Sequence, residues 1–161
     1  MRVYLPSTLT ALRTLLESRS LGDPPLPGYA VTGALREWYA EGDDEELEYA
    51  ALSLAAMASV RLLDADQDAV RRRVVVVAEV TAVENVPHVD RAAVKVLEPV
   101  IWERVQAVHV DDPSAVPDVT AAADAVVEAD LGSEDALFSL EVGHELQWYA
   151  TQEIGPLLEL S

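Results

Sequence analysis

Apolar residues along this chain fall into two rhythms, short β-type runs and longer stretches with helical spacing. "RVYLP" (2–6) is of the first kind. It leads into "STLTALRTLLESR", where Leu9, Leu12, Leu15 and Leu16 recur on one helical face and Ser7 or Thr8 can cap the start. The loop "SLGDPPLPG" interrupts the chain with three prolines, and "YAVT" (29–32) then predicts a strand. "GALREWY" follows as a helix, with Thr32 as its cap and Leu35 and Trp38 on one face. "RRRVVVVAEV" (71–80) is the clearest strand. Val74 to Val77 do not alternate with polar residues, which predicts a strand buried on both faces in the middle of a sheet with helices on each side. "RAAVKV" (91–96), "VQAVHV" (105–110) and "ELQWYA" (145–150) are further strands. "PSAVPDVTAAADAVVEAD" (113–130) is an Ala-rich helix starting near Asp118, because Pro117 fits a first turn better than an interior. In the tail "TQEIGPLLEL", Gly155-Pro156 delays the last helix to Pro156.

Between the second and third strands lies "YAEGDDEELEYAALSLAA" (39–56), with six carboxylates in the eight positions 41–48. Asp43 or Asp44 can serve as the N-cap; with Asp43 there, Glu46 falls at the third helical position, the arrangement of a capping box. Asp44, Glu45 and Glu46 then occupy the first turn, where the helix dipole stabilises each carboxylate by about 0.3–1 kcal/mol. The helix runs to about Asp64, and Leu47, Ala50, Ala51, Leu54, Ala58 and Leu62 supply its buried stripe. A metal loop would need alternating oxygen ligands and a twelfth-position Glu, and "EGDDEELE" has neither. The cluster reads as a cap.

These elements predict an α/β fold: one domain over residues 1–161, with a mixed sheet of about five or six strands and packed helices. An α+β sandwich is the alternative. Tyr4, Tyr29 and Tyr149 each stand near a strand end with Ser7, Thr32 or Thr151 soon after, a recurrent strand-to-cap pattern whose uneven offsets do not make a repeat.

Charge changes the picture more than composition does. The net charge is −18, and Lys95 is the only lysine. Phosphate contacts need clustered Lys and Arg, so nucleic acid and anionic membranes are excluded as partners. The charge suits a soluble chain or one that meets a basic protein partner, and genomic or halophilic bias is its bland cause. The absence of cysteine excludes disulfides and thiolate chemistry. "MRVYLPSTLT" lacks the apolar run of a signal peptide and no stretch approaches the roughly 20 apolar residues of a membrane span, so a cytoplasmic address is expected.

Candidate chemistry is sparse. His88, His109 and His144 each have an acid nearby, and His109 with Asp111, two apart on a strand, is the best pair. No second and third ligand are fixed by spacing, and neighbouring acids are common in so acidic a chain, so no metal or other cofactor is expected. Nucleophile-elbow, Walker A, dinucleotide and H-E-x-x-H motifs are absent. "RRR" (71–73) could grip a phosphate or a partner's carboxylates, but it fits better as an offset to local acid where the chain enters the central strand. If the sheet is mainly parallel, ligands belong at the strand carboxyl ends. That nominates Thr32, His109, Asp111, Asp112, Thr151 and Glu153, with Ser7, Thr8 and Thr81 at further ends. The pairs "EWY" and "QWY" nominate Trp38, Tyr39 and Trp148 as partner anchors; packing of one ring of each pair in the core is the plainer explanation.

"MRVYLPSTLTAL", "YAVTGALREWYAEGDDEELEYAAL", "AVHVDD" and "HELQWYATQE" together resemble an uncharacterised family of small acidic proteins from high-GC Gram-positive bacteria. The resemblance spans nearly the whole chain. It implies an intracellular one-domain protein and carries over no activity, cofactor or catalytic residue. The expectation is therefore a non-catalytic interaction or regulatory domain. A small enzyme or ligand-binding protein using the strand ends is the alternative, and acidic mimicry of nucleic acid ranks last because the carboxylates cluster at helix starts.

Overall fold

The computed structural model describes residues 1–160. Strand β1 (Arg2–Ser7) is followed by α1 (Leu9–Ser18), and Thr8 caps that helix by accepting a hydrogen bond from the Ala11 amide at 3.1 Å. Short β2 (Ser20–Leu21) precedes β3 (Leu26–Tyr29), α2 (Gly33–Trp38) and the 22-residue α3 (Asp44–Ala65). Next come β4 (Val74–Glu79), β5 (Val83–Asn85), β6 (Ala93–Val96), β7 (Val100–Ile101) and β8 (Val105–Val110). The chain closes with α4 (Val116–Asp124), α5 (Val126–Asp130), α6 (Glu134–Ser139), β9 (Gln147–Ala150) and α7 (Ile154–Glu159).

Seven strands form the main sheet in the order β5-β6-β3-β1-β4-β8-β9, and β2 pairs with β7 separately. The α/β character holds, but the chain has more strands than the sequence pattern predicts and the main sheet is not the mixed one expected. The extra ones, β2, β5 and β7, are two or three residues long, too short to show a period. Within the described residues every neighbouring pair is antiparallel. The reason lies in β1. Strands β3 and β4 run in the same direction and are joined through α2 and α3, but β1 is inserted between them and opposes both.

Strand β4 lies inside the sheet, between β1 and β8. Val74, Val76 and Ala78 face a core shared with Leu9, Leu12 and Leu15 of α1 and Ile154, Leu157 and Leu158 of α7. Val75 and Val77 face Ala51, Ala55 and Ala56 of α3 on the other side. The unbroken valine run thus reflects helices on both faces, as its pattern implies. Asp43 caps α3 by accepting from the Glu46 amide at 2.8 Å. The buried stripe follows Leu47, Ala51, Ala55, Ser59 and Leu63, each four residues on, so Leu62, assigned to the stripe from spacing, is exposed.

Strands β4, β6 and β9 start two or three residues later than the sequence reading has them, and three boundaries differ in a way that has a local cause. The strand expected at 29–32 lies at Leu26–Tyr29, inside the proline-rich segment. Pro27 is tolerated there because that part of β3 pairs only with β6, and β1 meets β3 only at Tyr4 and Tyr29. The helix expected over 113–130 starts as a 3₁₀ turn, becomes α-helical at Val116 rather than Asp118, and breaks at Ala125. The last helix begins at Ile154, with Gly155 and Pro156 in a first turn that needs no amide from proline.

Candidate functional site

Antiparallel pairing divides the strand-end candidates. The ends of β1 and β8 place Ser7, Thr8, Asp111 and Asp112 on the side of the sheet where β4 begins. The ends of β3, β4 and β9 place Thr32, Thr81, Thr151 and Glu153 on the opposite side, where β4 finishes. Thr32, Asp111, Asp112, Thr151 and Glu153 do not meet in one site.

Each is also engaged locally. Thr32 accepts from the Leu35 amide at 3.1 Å and donates to the Arg91 carbonyl. Thr151 donates to the Val105 carbonyl at 2.9 Å, and Glu153 accepts from the Ala150 amide at 3.0 Å. Asp112 accepts from the Ser114 amide at 2.9 Å, and its hydrogen bonds to Ser114 hold its carboxyl below the usual range. Asp111 is fully buried and belongs to the arginine tract. Arg73 binds its carboxylate through backbone N at 2.8 Å, Nε at 2.8 Å and Nη2 at 2.7 Å. Arg72 donates to the Asp111 carbonyl at 2.8 Å, and Arg71 donates to the Leu63 and Asp66 carbonyls at the end of α3. The tract offsets buried acid and closes a helix. His109 and Asp111 do not form the pair that spacing suggested, because β8 ends at Val110 and the Asp111 side chain turns to Arg73.

His109 lies elsewhere. It stands opposite Trp148 in the β8–β9 ladder, on the face that carries α3. α3 packs mainly on β1, β3 and β4, and a groove remains between its flank and the β8–β9 pair. Two adjoining hollows of about 660 and 430 Å³ make up this groove, and both are lined by Tyr49, Leu52, His109 and Trp148. Tyr4 and Gln106 complete the first; Leu140 and Leu146, on the segment entering β9, complete the second. Burial pushes the His109 imidazole below its ordinary value of 6.5. Burial likewise raises the Tyr4 phenol, with the Glu48 carboxylate adding to the effect.

Electrostatically the groove is acidic. Glu45, Glu48, Glu141 and Glu145 line it. Of the arginines in its walls, Arg73 is bound to Asp111, and Arg2 lies 3.5 Å from Glu48 and 3.2 Å from Gln106. His144 is paired with Asp118 at 2.7 Å. Among the described residues no three His, Asp or Glu side chains are grouped to hold a metal ion. Nor is any helix there long and apolar enough to cross a membrane.

Aromatic side chains continue over the other flank of α3. Leu35, Trp38, Tyr39, Tyr49 and Leu54 line a third hollow of about 470 Å³, where Arg91 stacks 3.7 Å from the Trp38 ring centre. Tyr49 borders all three hollows, and Trp38, Tyr49 and Trp148 are exposed by 61%, 58% and 60%. Of the residues nominated from sequence, the fold brings His109 and Trp148 together in the groove and leaves Trp38 and Tyr39 across α3. Tyr49 was missed. Its signal is an aromatic two residues from Leu47, hence off the buried stripe of a helix.

A family model described as "Family of unknown function (DUF6912)" matches residues 1–158. No curated protein and no solved structure matches the chain.

Proposed function

We propose that this chain, which belongs to the DUF6912 family of unknown function, is a non-catalytic, cytoplasmic interaction domain that takes a basic segment of a protein partner into the groove between α3 and the β8–β9 pair. The observation that carries this reading is the pairing of exposed aromatic walls with an acidic rim. Tyr49 and Trp148 flank the groove, while Glu45, Glu48, Glu141 and Glu145 line it. Trp and Tyr contribute large contact area at little conformational cost, and their ring faces attract Lys and Arg. Carboxylates around them speed encounter with a cationic partner and disfavour acidic ones.

Titration with lysine- and arginine-rich peptides against neutral and acidic ones tests the proposal. Basic peptides are expected to bind, to weaken with added salt, and to lose affinity when Glu45, Glu48, Glu141 and Glu145 are all changed to Gln. No binding by any basic peptide, or equal binding by all three classes, overturns it.

A further inference from the structure

Strand β9 ends the sheet, and the hydrogen bonds between β4 and β8 fix its backbone directions. The Asp111 amide donates to the Arg73 carbonyl, so the odd-numbered residues of β8 turn their backbone groups toward β4. Those opposite them on β9, Trp148 and Ala150, therefore turn theirs away from β8. The Ala150 amide confirms this direction, since it donates to the Glu153 carboxylate. Glu153 thus covers one end of the edge. Trp148, whose amide and carbonyl face outward, has no backbone partner there among the described residues. An uncovered donor and acceptor at a sheet edge form a template for another strand.

We infer that the partner segment binds as an added antiparallel strand along β9, paired through Trp148, with an alternating basic and apolar sequence. This rests on the interaction reading above and specifies its mode. A residue opposite Trp148 would lie in a hydrogen-bonded pair and share its face, beside the groove lined by Glu141 and Glu145. Lysine or arginine there and two positions away meets that rim. The intervening residues lie on the face of Tyr149, whose ring packs on the core beneath α1 and α7, and they are apolar. A second copy of this chain is a poor occupant, because a net charge of −18 on each copy opposes association.

The test uses a synthetic peptide alternating lysine and valine and two N-methylated forms of it. Methylating the lysine amides, which face β9 in this register, is expected to lower affinity at least about tenfold; methylating the valine amides leaves it within about twofold. Hydrogen exchange of the Trp148 amide slows in the complex. If the parent peptide binds with dependence on the four glutamates but both methylated forms bind as well as the parent, edge pairing is overturned and the groove reading survives. If the parent does not bind while other basic peptides do, edge pairing is overturned and the groove reading survives; if no basic peptide binds, both fall. Concentration-dependent self-association that masks the edge would assign it to a second copy and also overturn the inference.

Discussion

Arg73 donates three hydrogen bonds to the carboxylate of Asp111, one from its backbone and two from its guanidinium, and both side chains are buried. The same guanidinium reaches the His144 carbonyl at 2.6 Å. Three segments far apart in sequence are tied at that point: the entry to β4, the exit from β8, and the loop before β9. That loop carries Glu141 and Glu145, so this ion pair also holds the far wall of the groove.

Removing one partner leaves the other charge buried and uncompensated, which costs about 3–5 kcal/mol. Asp111→Ala is expected to lower the unfolding free energy by about that amount in urea denaturation. The double change Asp111→Leu with Arg73→Met should cost much less than the two single changes together. Additive losses would show that the two side chains do not act as a pair.

The cap of α3 makes a smaller, separable contribution. Asp43→Ala removes the acceptor of the Glu46 amide and should destabilise the protein by about 0.5–2 kcal/mol. Asp43→Ser retains an oxygen acceptor and should recover most of that loss. Equal losses in both variants would mean that the acidic cluster does something other than start the helix.

His109 titrates near 6.5 when unfolded and lower in the native state, where burial disfavours its charged form. Between those two values the unfolded chain binds more protons. The contribution of His109 to stability therefore falls as pH is lowered through about 6.5, and flattens once pH passes below the folded value. The expected result is a shallower acid-side slope of unfolding free energy for His109→Gln than for the parent. Parallel slopes through this window would contradict the burial argument.

Groove binding predicts a particular separation of affinity from stability. Tyr49 and Trp148 are largely exposed, so Tyr49→Ala and Trp148→Ala should leave the denaturation midpoint nearly unchanged. Each should weaken a lysine-valine peptide about tenfold, equivalent to about 1.4 kcal/mol. Trp38→Ala, on the other flank of α3, serves as a comparison and should have little effect on that peptide. A loss with Trp38→Ala as large as with Trp148→Ala would move the binding face across the helix.

Much of the local architecture is legible in the sequence. Thr8, Thr32 and Asp43 cap the helices that their spacing suggested, and β8 spans the residues its pattern marked. The candidate site was less legible. Trp148 and His109 were singled out for unrelated reasons, and their adjacency depends on β8–β9 register. Asp111 looked available because it ends a strand, yet its carboxylate is consumed by a side chain 38 positions earlier.

By itself the amino-acid order determined where α1, α2 and α3 start, which strand is buried on both faces, and that the net charge is negative. Those properties arise within a few neighbouring residues or from simple totals, through amide-to-side-chain bonds at helix ends, an unbroken valine run and an excess of acids. Only the tertiary structure decided that β1 inserts between β3 and β4, that the nominated residues part to opposite ends of the strands, and that Tyr49 and Trp148 face one groove. Strand direction and register are chosen by contacts between distant segments, whose relative free energies no local pattern encodes.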